Sequence, residues 1–127
     1  LGKPKAEALP EILNQINPYL EYESVCVRVT PENVKALFAD YPIVCEAFDR
    51  PDQKAMLARE LLTQCPDTMV VSGNGMAGYG NTNEIQTAQL CGDRKTDVGN
   101  GIGLIAPRVA ACAAHQANKV LQLLMES

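Results

Sequence analysis

Apolar residues recur at helical spacing over residues 4–16, where Ala6, Leu9, Ile12, Leu13 and Ile16 fall on one side of a 3.6-residue turn. Pro10 sits inside that pattern. A proline there removes a donor and crowds the preceding turn, so the helix either begins near Pro10 or kinks at it. Asn17-Pro18 ends it. Residues 20–29 read as a strand, in which Glu21, Glu23 and Arg28 interrupt Val25, Cys26, Val27 and Val29. Thr30-Pro31-Glu32 marks a helix start, with Thr30 as N-cap, Pro31 in the first helical position and Glu32 favourable to the dipole. That helix runs to about Asp40 and buries Val34, Leu37 and Phe38.

Tyr41 to Phe48 reads as a short strand ending at Asp49, and residues 51–64 as a helix whose buried face is Met56, Leu57, Leu61 and Leu62. Pro66 ends it, and Thr68 to Ser72 is an almost wholly apolar strand, the pattern of a strand covered on both faces. A glycine-rich stretch follows from Gly73 to Asn81; Glu84 to Leu90 alternates weakly as a further strand, and residues 91–104 are loop-like. The last element is a helix from about Pro107 to Met125, with Val109, Ala113, Ala117, Val120, Leu121 and Leu124 as its apolar face. Strands alternating with helices imply parallel strands joined by right-handed crossovers. The expected fold class is therefore α/β, a Rossmann-like, mostly parallel sheet with helices on both faces, begun partway through because no strand precedes the first helix.

Composition narrows the function. The 127 residues suit one domain, taken as 1–127, and the formal net charge of −4 disfavours nucleic acid as the main partner. No stretch is apolar for the roughly 18 residues a membrane helix needs, and the first residues are no secretory signal. The five cysteines are odd in number and form no CxxC pair, so neither a disulfide framework nor a structural zinc site is expected, and a reducing cytoplasm fits. There is no initiator Met, so a processed product or a fragment of something longer is expected.

In open parallel sheets, ligands sit at the carboxyl ends of strands, where Asp49 falls. A carboxylate there can hold magnesium beside a nucleotide phosphate; the competing reading is a cap for the helix that follows. Lys3 and Lys5 stand at the start of the first helix, either as point charges for a phosphate or as solvated side chains. Gly73, Gly75 and Gly78 match Gly-x-Gly-x-x-Gly, yet no helix follows to face a pyrophosphate, so the stretch is a loop near a site rather than the phosphate cradle. His115, the single histidine, lies mid-helix and supports neither a catalytic triad nor zinc. Cys45 and Cys112 fall in apolar segments and read as core; Cys91, beside Gly92 and Asp93, is the candidate for an exposed reactive thiol.

Four segments together resemble the ThiF/MoeB/ubiquitin-activating-enzyme superfamily: Gly2-Lys3-Pro4-Lys5-Ala6 with Ile16-Asn17-Pro18; Val44-Cys45-Glu46-Ala47-Phe48-Asp49 with Lys54; Val70-Val71-Ser72-Gly73; and Gly101-Ile102-Gly103-Leu104-Ile105-Ala106-Pro107. The resemblance implies ATP- and magnesium-dependent adenylation of the C-terminal glycine of a ubiquitin-like sulfur carrier protein, in thiamine or related cofactor synthesis, by an adenylyltransferase that forms a homodimer. It implies that Lys5 contacts ATP phosphate and Asp49 binds magnesium. Lys54, at a frequently basic position of the family, is a further candidate on the nucleotide side. The family's earlier strand, its Gly-rich loop into a helix and its arginine-bearing segment are expected before Leu1 and are not in this sequence, so the chain alone is expected to be inactive. The absence of CxxC pairs fits a zinc-free branch, and Cys91 is the candidate where some members use a sulfur-transfer cysteine. A non-catalytic carrier-binding module of the same fold and a dinucleotide-dependent oxidoreductase are the rival readings.

Overall fold

A computed structural model of the chain describes residues 2–73, 86–87, 91–92 and 106–126. Helix α1 spans Lys5–Ile16, α2 Val34–Phe38 and α3 Pro51–Gln64. Strand β1 is Ile43–Glu46 and β2 is Met69–Ser72; β3 and β4 are the short pieces Gln86–Thr87 and Cys91–Gly92, and α4 is Ala106–Glu126. β1 and β2 pair in parallel, Ile43 opposite Met69 through Glu46 opposite Ser72, with α3 as the crossover between them. β3 and β4 pair antiparallel, so Cys91 opens a strand rather than a loop; its side chain lies outside the described residues, as does most of the glycine-rich stretch.

The core forms where α2 and α3 meet one face of the β1–β2 pair. Val34, Val44, Leu57, Leu61 and Cys65 are buried together, with Val29, Phe38, Phe48, Met56 and Val70 packed around them. α3 starts as its sequence predicts, with Pro51 in the first turn, where a missing N–H costs nothing. Its buried face is narrower than the periodicity suggested. Leu62 is 72% exposed, because Leu57 and Leu61 already point at the sheet and the next residue is turned about 100° away. In β1, Val44 and Glu46 face inward; Cys45 alternates to the opposite side and is exposed, which corrects its assignment to the core.

α4 approaches both strands and is anchored by Cys112 and Gln116, which are buried. The apolar face read from the sequence lies largely on the outside: Val109, Ala113, Ala117, Leu121 and Leu124 are exposed. Ala113 and Ala117 each follow an anchor residue by one position, about 100° around the helix, and Gln116 carries a hydrogen bond into the sheet, described below.

Two further expectations change. Residues 20–29 are extended but form no strand among the described residues; Leu20, Tyr22, Val25 and Val27 are exposed. The segment after Val29 does not start a helix at Thr30. Asn33 captures the turn: its side-chain oxygen accepts from Thr30 N at 2.8 Å and its amide donates to Arg28 O at 2.9 Å. Residues 31–33 are thereby held as a turn, and α2 starts only at Val34.

α1 runs continuously through Pro10. The carbonyl that Pro10 leaves without a helical donor is that of Ala6, four residues earlier. The Ser24 hydroxyl donates to that same oxygen, which both satisfies it and ties the extended segment to the helix. No residue of α1 is buried.

Candidate functional site

The carboxyl ends of β1 and β2 meet the start of α3 and the middle of α4. Glu46, the last residue of β1, is 2% exposed, and its carboxylate accepts four hydrogen bonds from three groups. Phe48 N donates to Oε1 at 2.5 Å, Ser72 Oγ to Oε2 at 2.5 Å, and Lys54 Nζ to both oxygens at 3.1 Å. Lys54 also donates to Gly73 O at 3.0 Å, and Gln116 Nε2 to the backbone carbonyl of Glu46 at 3.0 Å. A buried carboxylate is tolerable only with such partners, because desolvating an unpaired charge costs several kcal/mol. The network ties β1, β2, α3 and α4 to one point.

Gly73 has a steric reason to be glycine. An added Cβ would lie 2.8 Å from Cys112 Sγ and 3.3 Å from Gln116 Oε1, so a side chain here would push α4 off the sheet. The first glycine of the glycine-rich stretch thus serves packing.

Asp49 lies one residue past Phe48, exposed, in the bend between β1 and α3. It does not cap α3. The N-cap position is Arg50, no side chain caps the helix, and Arg50 pairs with Asp52 at 2.8 Å. No hydrogen bond or ion pair engages Asp49 among the described residues, which leaves its oxygens available to a ligand. Lys5 is likewise exposed at the first position of α1 and has no partner among the described residues, whereas Lys3 pairs with Glu11 at 2.6 Å. The described contacts do not join Lys5 to Asp49.

Among the described residues no group of three or more His, Cys, Asp or Glu side chains forms a metal cage. A single exposed carboxylate fits magnesium arriving with a nucleotide, since that ion takes one or two carboxylates and fills its remaining positions with phosphate oxygens and water. His115 is exposed on α4. No helix is long and apolar enough to cross a membrane among the described residues. Sequence reasoning assigned no role to Glu46, Ser72 or Gln116. The available signal was a carboxylate two positions after Val44, on the inward face of an otherwise apolar strand, with a lysine one turn into the next helix.

The chain resembles known proteins in sequence and in fold. Over 78 residues it is 30% identical to the adenylyltransferase and sulfurtransferase UBA4 of Candida glabrata, covering 61% of this chain and 18% of that protein. Over 58 residues it is 29% identical to UBA4 of Kluyveromyces lactis, covering 46% and 13% respectively. The chain therefore matches less than a fifth of the length of these relatives. The E. coli tRNA N6-threonylcarbamoyladenosine dehydratase TcdA, solved with AMP and with ATP, superposes with a TM-score of 0.75 over all of this chain and 68% of that one, at 20–21% identity. That likeness establishes the Rossmann-like α/β fold, of which β1, α3 and β2 are the described parallel unit. The ThiF family pattern matches residues 1–127, and the chain belongs to the ThiF family.

Proposed function

We propose that the protein is an adenylyltransferase that uses ATP to activate the C-terminal glycine of a ubiquitin-like sulfur carrier, serving thiamine or related cofactor synthesis. The observation that carries this reading is Asp49: an exposed carboxylate at the carboxyl end of a parallel strand, neither capping the helix after it nor paired with any described residue. Family membership supports it, as do the adenylyltransferase activity named for the fungal relatives and the nucleotides bound by the structural neighbour.

In this reaction a carboxylate oxygen of the carrier attacks the α-phosphorus of ATP. The bond from that phosphorus to the bridging oxygen breaks, and pyrophosphate leaves with the electron pair, giving an acyl-adenylate. Magnesium, when bound with the nucleotide, neutralises phosphate charge; Asp49 is the residue of this chain that would hold it. Lys5, whose ammonium has no described partner, would offer a point charge to the phosphates. The protein's contribution is position and electrostatics, since in-line displacement at phosphorus needs little else.

Exchange of labelled pyrophosphate into ATP by the full-length protein, with a glycine-terminated carrier present, tests the reading. Asp49→Asn should lower exchange on the order of 100-fold, as loss of a charge-stabilising group in other active sites does. Wild-type exchange that survives Asp49→Asn unchanged would remove Asp49 from the mechanism. Carrier binding with no exchange by the wild type would point to the non-catalytic module.

A further inference from the structure

We propose that Glu46 and Lys54 are a positioning pair that fixes the backbone carrying Asp49, and that Lys54 reaches no phosphate itself; this rests on the reading of Asp49 given above. An ammonium has three N–H donors. In Lys54 they are matched by Glu46 Oε1 and Oε2, each at 3.1 Å, and by Gly73 O at 3.0 Å. A carboxylate offers about four acceptor positions, and Glu46 accepts four hydrogen bonds: one from Phe48 N, one from Ser72 Oγ and one at each oxygen from Lys54. The pair is closed on both sides. For Lys54 to turn toward a phosphate it would have to leave a carboxylate whose side chain is 1% exposed. Uncovering a buried charge in that way opposes ligand binding.

What the pair does instead follows from where its bonds end. Phe48 N–H, one residue before Asp49, is held by Glu46 Oε1, so the chain leaving β1 is folded back onto the last residue of the strand. The same carboxylate takes Ser72 at the end of β2, and the same ammonium takes the carbonyl of Gly73, where the glycine-rich stretch begins. One ion pair therefore sets both the turn that presents Asp49 and the position of Gly73 after β2. Asp49 needs no bond of its own to stay in place, which leaves its carboxylate for the ligand.

The test uses the full-length protein and two readouts. The first is amide hydrogen exchange at Phe48, whose N–H donates to Glu46. Lys54→Met should speed it at least about tenfold by loosening Glu46, and Lys54→Arg, which can keep both carboxylate contacts, should restore slow exchange. The second is pyrophosphate exchange. Lys54→Met should lower kcat about tenfold while leaving the KM for ATP within about twofold, and should add nothing further in an Asp49→Asn background. If Lys54→Met does not fold, Ser72→Ala removes a single donor from Glu46 and should show the same amide effect at smaller size. Unchanged amide protection in a folded Lys54→Met variant overturns the proposal. So does a rise of about tenfold or more in the KM for ATP with protection intact, the signature of a direct phosphate contact. A wild-type protein without pyrophosphate exchange defeats the adenylation reading instead, and the amide readout still decides the positioning pair.

Discussion

Two segments of this chain are extended and rich in β-branched residues, yet among the described residues only one of them belongs to a sheet. β1, Ile43–Glu46, has β2 hydrogen-bonded along one side, α3 packed on its inner face and α4 reaching its last carbonyl through Gln116. Residues 20–29 have Val25, Val27 and Val29, but Leu20, Tyr22, Val25 and Val27 stay exposed, and the described attachment to α1 is the Ser24 hydroxyl on Ala6 O. The difference lies in neighbours rather than in propensity. A β-branched run prefers extended backbone, but its stability comes from cross-strand pairing and burial, which the run itself does not contain. The same contrast separates α3, which buries Leu57 and Leu61, from α1, which buries nothing.

The sharpest way to break this comparison is to truncate one apolar side chain in each region. Leu61 is 0% exposed and Ile16 is 75% exposed. Leu61→Ala should cost about 2–5 kcal/mol in urea unfolding, through lost transfer energy and the cavity left behind. Ile16→Ala should stay within about 0.5 kcal/mol, as surface substitutions do. Equal losses at the two positions would mean that α1 is packed in solution against something the described contacts do not include.

A smaller effect tests the seam between α4 and the sheet. Gly73→Ala places a methyl 2.8 Å from Cys112 Sγ, so either α4 shifts or the alanine site strains. Overpacking of this kind costs about 1–3 kcal/mol. Pairing it with Cys112→Ala, which removes the offending sulfur, should recover most of that loss. No recovery would show that the glycine is needed for its backbone rather than for its lack of a side chain.

The central unit was legible because its signals are local. Pro51 and Pro66 frame α3, and the periodicity names Leu57 and Leu61, so the helix falls at Pro51–Gln64 as read. The two parallel strands followed from alternation with helices. What escaped depends on contacts between distant residues. Asn33 displaces the start of α2 by holding Thr30 and Arg28 with its side chain, and a threonine-proline start gives no hint of it. The exposed stripe of α4 is strongly amphipathic, yet the helix is anchored by Cys112 and Gln116, and a glutamine on the buried side has no place in a hydrophobic periodicity. For the site, Asp49 and Lys5 were reached through family resemblance, and the geometry adds that both are exposed and without described partners. Glu46 was passed over because a carboxylate in an apolar strand is read as an interruption until its three donors, Phe48, Lys54 and Ser72, are brought together.

The smallest expected effect separates exposed charge pairs from the buried one. The Arg50 guanidinium beside Asp52 holds that carboxyl below its usual range, chiefly by hydrogen bonding, and Gln64 and then Arg59 do the same for Glu60. A carboxylate whose folded pKa is depressed adds stability above its unfolded value, about 3.9 for Asp and 4.3 for Glu, and that contribution fades as pH falls through the folded value. Asp52 is exposed, and Glu60 is half-buried beside an exposed Arg59, so solvent and salt screen both pairs and the contribution is slight. Thermal melts of wild type and of an Asp52→Asn, Glu60→Gln variant should therefore differ slightly at pH 7, converge below about pH 4, and differ less again in about 1 M salt, where the Debye length is about 3 Å. Lys54→Met behaves differently under the same treatment: its loss is set by the burial of Glu46, which salt does not reach, so its melting deficit should persist at high ionic strength. If the Lys54→Met deficit vanished with salt as the surface deficit does, the Glu46–Lys54 pair would be solvent-screened, and the distinction between a buried clamp and ordinary surface charge would fail.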